Sequence, residues 1–216
     1  MKTLLYLSFC IYSLSSWSLV FAQDRVPVGT FSEGIITNWE QKSFEGETDY
    51  QLVVVDGKTV IKATSNAAAS GYFKEISVDL TKTPYLNWSW KIQKPLDPIN
   101  EKEKSGDDFV ARVYVVVKTG PFFFNLQALN YVWSSNQPIE EYWPNPFTSK
   151  AMMMVLQSGK EKSGAWVYEK RNIATDFKKV FGEEITQTDA IAIMTDTDNT
   201  GENATAFYGD LYFTAD

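Results

Sequence analysis

The sequence contains no histidine, and its one cysteine is Cys10. These two gaps remove the usual general bases, thiol nucleophiles and zinc ligands. Ser-His-Asp, cysteine-dependent and zinc-dependent chemistries are therefore excluded. Phosphate-loop and dinucleotide glycine motifs are missing as well. No basic stretch is present and the formal charge is −7, which argues against nucleic acid and anionic membrane surfaces as partners. What the chain does hold is carboxylates, arginine and lysine, hydroxyls, and an aromatic content of 15%.

The N-terminus has the architecture of a cleavable secretory signal. Lys2 supplies a positive start, residues 4–20 are apolar with interspersed serines, and Val20-Phe21-Ala22 places small residues at −3 and −1 before Gln23. A membrane anchor of similar length is the alternative; the serine-broken run and the clean cleavage triplet argue against it. The expectation is a leader over 1–22 and a single domain over 23–216, exported to the periplasm or secreted. No later stretch is long enough to span a bilayer. Once Cys10 is lost with the leader, no disulfide can form, so stability must come from packing, with a bound ion as the one other source.

The rest of the chain reads as short β-branched and aromatic runs cut by turn residues. The runs 50–55 and 60–64 flank Asp56-Gly57-Lys58, a hairpin signal because Asp-Gly supplies positive φ for a type I′ turn. In 85–92, Leu86, Trp88, Trp90 and Ile92 share one face at period two. Further strands are predicted over 72–80, 107–118, 122–133, 151–157, 165–172, 190–195 and 205–214. One helix is predicted over 173–181, with Asn172 as N-cap, Ile173, Phe177 and Phe181 on one side, and Gly182 as the stop. About ten strands and one short helix predict an all-β fold, an antiparallel sandwich of the jelly-roll type, with a barrel as the alternative.

Two loops interrupt the spacing. Residues 94–106 are rich in lysine, acid and proline and read as a solvated, mobile excursion. Residues 134–150 combine Pro138, Pro144 and Pro146 with Tyr142, Trp143 and Phe147, and Trp133 ends the strand before them. A proline-stiffened loop with aromatic rings suits a sugar- or peptide-binding platform; its bland alternative is a hydrophobic cap folded over the sandwich.

Polar residues gather in three places. Asp107 and Asp108 precede a strand on which Arg112 and Tyr114 fall opposite the core-facing Phe109, Ala111 and Val113, as either a charged outer face or the polar wall of a cleft. Asp196, Asp198 and Asn199 crowd a turn ending at Gly201, and such oxygen-rich turns either satisfy their own backbone or hold calcium. Arg171 and Asp176 bracket the start of the helix, as a structural ion pair or as a ligand-facing arginine.

Taken together, Trp88-Ser-Trp-Lys, the run from Gly106 to Val116, Arg171-Asn172 with Asp176-Phe177 and Phe181-Gly182, and the run from Ala190 to Gly201 with Tyr208-Gly-Asp-Leu resemble the bacterial exported family known as domain of unknown function 3047. The resemblance implies an envelope location and a sandwich fold, and it supplies no reaction. Residues 58–80 and the closing 209–213 are also similar to galactose-binding-like jelly rolls of carbohydrate-binding modules. That second resemblance implies a structural calcium held by Asp210, with Glu45 as a weaker partner.

The reading that follows is a non-catalytic module binding a glycan or other envelope polymer through Asp108, Arg112, Tyr114, Trp133, Tyr142, Trp143 and Arg171. Its alternatives are a periplasmic assembly partner that binds another protein, and a glycoside hydrolase using two of Asp107, Asp108, Asp196 and Asp198.

Overall fold

The computed structural model describes residues 25–119 and 125–216. The predicted leader over 1–22 and Cys10 lie outside the described residues.

The strands, in chain order, begin with β1 (Arg25–Gly29), β2 (Glu40–Glu45), β3 (Asp49–Val55), β4 (Lys58–Asn66) and β5 (Ala69–Glu75). β6 (Tyr85–Ile92), β7 (Ala111–Thr119), β8 (Asn125–Ser134), β9 (Tyr142–Asn145) and β10 (Thr148–Ser158) follow. β11 (Val167–Asn172), the helix α1 (Ile173–Phe181), β12 (Ala190–Asp196), β13 (Asn203–Tyr208) and β14 (Leu211–Thr214) complete the order. The predicted hairpin is present: β3 and β4 pair through Asp56 and Gly57, both at positive φ. The predicted helix has its expected ends, with the Asn172 side chain accepting from the Thr175 amide and Gly182 in the left-handed region.

The strands form two seven-stranded sheets that pack as a β-sandwich. In the first sheet β6 pairs with β11 along one edge and with β13 and β14 along the other, and β4, β3 and β1 extend it outward. The predicted strand over 205–214 is thus two segments of one bulged path, broken at Gly209 and Asp210. The second sheet runs β2-β5-β12-β7-β8-β10-β9. It departs from the antiparallel expectation, because β8 and β10 are parallel. The reason is local. A parallel neighbour needs a crossover, and the segment after β8 makes it by running to the far edge as β9, then turning back so that β10 inserts between the two. β9 carries Pro144, which an edge strand tolerates because it need not donate to a further neighbour.

Period-two alternation places the core. Leu86, Trp88, Trp90 and Ile92 of β6 face inward as predicted, against Ala111, Val113, Val115 and Val117 of β7 and Leu129, Tyr131 and Trp133 of β8. Ring contacts cross between the sheets, Trp88 to Tyr131 at 5.3 Å and Trp90 to Trp133 at 5.9 Å. Phe177 and Ile173 of α1 extend this core.

The segment 94–106 is tied down, contrary to the solvated excursion expected from its composition. Leu96 and Glu101 are buried. The Glu101 carboxylate accepts from the Ser134 hydroxyl and the Ser135 amide, each at 2.5 Å. Gly106 closes the segment so tightly that a Cβ there would collide with the Asn100 carbonyl. Charge density looked like solvation in the sequence, but one of those charges is an internal anchor. Among the described residues no helix is long and apolar enough to cross a membrane.

Candidate functional site

The alternation that sends Ala111, Val113 and Val115 into the core turns Arg112 and Tyr114 to the opposite face of the second sheet. Pairing sets Arg112 beside Met194 of β12, and Tyr114 beside Asn130 of β8. These four residues form a floor on the central strands. One wall comes from the β2–β5 side with Phe44, Glu45 and Ala69, and the other from the β9–β10 side with Asn145, Phe147, Thr148 and Ala151. Asp107, Asp196, Asp198 and Asn199 close one end. The sheet curls around a cleft of about 470 Å³.

Arg112 is the electrostatic centre of this end. It is buried, forms a bidentate pair with Asp196 through Nε and NH2, and donates to the Asp107 carbonyl and, at 3.2 Å, to the Tyr114 hydroxyl. Burial alone would weaken its charge, but Asp196 and its other partners hold the guanidinium well above its ordinary range. Asp108 is also buried, and accepts from the Asn199 amide and side chain and from the Thr200 amide. It therefore fastens the turn after β12 to the segment before β7. Burial, followed by the neighbouring Asp108, pushes the half-buried Asp198 upward. Asp107 is pushed up by burial, which outweighs the pull of Arg112 and Asn145.

Two acceptors in the cleft lack a donor among the described residues. Asn130 is 1% exposed, and its amide nitrogen reaches the Ala128 carbonyl at 3.2 Å while Oδ1 has no hydrogen-bond partner. Asp107 Oδ1 also has none; Arg112 NH2 lies 3.8 Å away, while Oδ2 accepts from Asn145 at 2.7 Å. A buried acceptor left without a donor costs about 1–3 kcal/mol, so both sites favour a ligand that donates. Above this floor two rings stand in solvent, Phe44 at 63% and Phe147 at 56% exposure. Lys42 and Lys104 reach over these rings, 5.6 and 5.2 Å from the centroids.

The sequence-predicted residues divide. Asp108, Arg112, Tyr114, Asp196, Asp198 and Asn199 come together at the cleft or directly behind it. The remainder do not join them. Trp133 is a core residue, buried between the sheets with its indole nitrogen donating to the Gly159 carbonyl. Trp143 is buried in a small cluster with Phe109, Val132, Met153 and Val155. Tyr142 points to the opposite side of β9 from Trp143, with Lys179 over its ring at 5.4 Å. Arg171 is bidentate to Asp176 and also binds Glu140, while Tyr131 donates to Asp176 from the core. This network pins α1 and leaves Arg171 turned away from the cleft.

Asp210 lies on the outer face of the first sheet, where it accepts from the Ser32 amide at 2.8 Å and hydroxyl at 2.6 Å. It lines a different groove of about 480 Å³ with Arg25, Lys58, Trp166, Tyr168 and Tyr212, whereas Glu45 lies in the cleft. The two residues expected to share a calcium are therefore on opposite faces of the sandwich. Asp108, Asp196 and Asp198 do bring carboxylate oxygens within 4.8 Å of one another. Calcium takes six to eight oxygens, and here Arg112 occupies both oxygens of Asp196 while three N–H groups occupy those of Asp108. The donor set does not fit a calcium ion with these partners in place.

Sequence reasoning missed Asn130, Asn145, Phe44 and the cleft role of Glu45. Asn130 did carry a signal: it is a lone amide in a run of apolar and aromatic residues, on the phase opposite Leu129 and Tyr131.

The family model for a protein of unknown function, DUF3047, matches residues 37–212. The chain belongs to the DUF3047 family. No curated protein matches it. Among solved structures, this DUF3047 chain is similar to a cellulase derived from Cel12A of Rhodothermus marinus, with 11% identity, a TM-score of 0.47, and coverage of 88% of this chain and 96% of that one. It is similar to the CBM22-2 xylan-binding domain of Paenibacillus barcinonensis Xyn10C, with 11% identity, a TM-score of 0.39, and coverage of 89% and 99%. It is also similar to the Endo-D glycoside hydrolase domain of Streptococcus pneumoniae, with 11% identity and a TM-score of 0.41 over 82% of this chain. The chain spans only 22% of that last structure's length.

Proposed function

We propose that this protein is an exported, non-catalytic glycan-binding sandwich whose site is the cleft on the outer face of the second sheet. The observation that carries the reading is the pairing of two buried, donor-less acceptors, Asn130 Oδ1 and Asp107 Oδ1, with the exposed rings of Phe44 and Phe147. Sugar hydroxyls donate to such acceptors, and the apolar faces of pyranose rings lie against aromatic rings. A cleft of about 470 Å³ is within the usual size of a small-molecule site. Two-carboxylate hydrolysis needs an uncommitted acid and an uncommitted base or nucleophile, and of its four candidates only Asp107 and Asp198 remain for those roles. Asp196 is held by Arg112 and Asp108 by three N–H groups. Residues 1–22 support export; mass spectrometry of the protein from the cell envelope is expected to find Gln23 as its first residue.

Titration calorimetry of the purified protein against a panel of glycan oligomers tests the site. Phe147→Ala is expected to weaken binding about tenfold or more, the cost of losing a stacked ring, and to leave the melting temperature unchanged because the ring is exposed. Binding unaffected by Phe147→Ala and by Asn130→Ala would remove the cleft from consideration.

A further inference from the structure

Resting on the glycan reading above, we propose that the cleft selects glycans bearing free amino groups over acetylated, neutral and acidic ones. Glu45, Asp107, Asp196 and Asp198 line the cleft, and among the described residues Arg112 is the one cation of the lining. Arg112 is already committed to Asp196 and to the Asp107 backbone. Lys42 and Lys104 lie against the outer rings instead of joining the lining. The lining thus holds four carboxyl groups against one cation, itself already paired.

The second observation is independent of charge. Asn130 is a neutral side chain, buried on the floor, and its Oδ1 has no donor; Asp107 Oδ1, also buried, lacks one too. The unmet demand is therefore for donors from a ligand. A hydroxyl brings one donor, whereas an ammonium group brings three together with a positive charge. Hydrogen bonds from a charged donor are about twice as strong as neutral ones. A uronate or a sulfated sugar brings acceptors and negative charge to a site that has a surplus of both, and like charges brought together across an interface oppose binding. An N-acetyl group removes the charge and adds another acceptor.

The test is calorimetric titration of the full secreted chain with equal-length oligomers of glucosamine, N-acetylglucosamine, glucose and galacturonate, at low and high salt. The expected result is glucosamine binding tighter than the neutral oligomers by about tenfold or more, an advantage that shrinks with salt, and no binding of galacturonate. Asp198→Asn, at a half-buried position, is expected to cut the amine advantage several-fold while neutral binding persists. Asp107→Asn should do the same, and circular dichroism confirms that each variant is folded. Attraction to the protein's overall negative charge would survive Phe147→Ala, so glucosamine binding that is insensitive to Phe147→Ala overturns the proposal. Equal binding of glucosamine and neutral oligomers also overturns it while leaving the glycan reading intact. Binding of no glycan at all would instead defeat the glycan reading itself.

Discussion

At the scale of single residues, two buried charges set the energetics. Arg112 and Asp196 satisfy one another in the interior, so removing either leaves an uncompensated buried ion. Arg112→Met and Asp196→Leu are each expected to cost about 3–5 kcal/mol in urea denaturation. The double variant should be less destabilised than either single change, because no ion is then stranded. Glu101 is the other case. Burial raises its carboxyl, against the pull of the Ser134 and Ser135 donors and of Arg112. Its folded-state pKa lies above its unfolded one, so its contribution to stability is complete below the unfolded carboxylate range and is lost as pH rises through the folded value. Glu101→Gln removes that term. Between about pH 4 and 7 its melting temperature is expected to fall less with rising pH than that of the parent protein. Exposed Asp56, Asp79, Glu140 and Glu184, held below their ordinary range mainly by hydrogen bonds and charge, act with the opposite sign. They are common to both proteins and cancel in the comparison.

At the scale of elements, local signals and tertiary demands divide cleanly. The β3–β4 hairpin and α1 were legible because their ends are chemical: Asp-Gly for positive φ, an Asn cap, and a Gly stop. Asn172→Ala is expected to cost about 1 kcal/mol through loss of that cap. Gly106→Ala should cost more, because its Cβ would meet a backbone carbonyl, which cannot yield as a flexible side chain can; thermal denaturation of the two variants ranks them. The alternating face of β6 was legible for the same local reason. β1, β2 and β9 carry no such signature. β2 is exposed along its whole length, and β9 has a proline in its middle. These strands exist because a neighbour offers an edge, which composition does not encode.

At the scale of the whole molecule, inward-facing residues of both sheets and of α1 belong to one continuous core. Unfolding in urea is expected to be a single transition with coincident far-ultraviolet dichroism and tryptophan fluorescence. Two separated transitions would show that the sheets unfold independently. The same packing explains why aromatic residues misled the site prediction. Trp133 and Trp143 each match a ring awaiting a sugar, yet one closes the main core and the other closes a satellite cluster beneath β9. Phe147, from the same stiffened loop, is the ring left in solvent at the cleft.

Composition and periodicity alone narrowed the available chemistry and committed the chain to an all-β fold. Without histidine the chain cannot use imidazole chemistry, and period-two alternation with well-marked turns commits it to sheets. The sequence also brought Asp108, Arg112, Tyr114, Asp196 and Asp198 into view, because polar residues on the solvent phase of apolar strands are conspicuous. Only the tertiary structure decided which of them are free to act. Hydrogen bonding is settled largely by neighbours distant in sequence: Arg112 is consumed by Asp196, Asp108 by a turn some 90 residues away, and Arg171 by Glu140 as well as by the nearby Asp176. Asn130 came into view only once β7, β8 and β10 lay side by side and left its oxygen without a partner among the described residues.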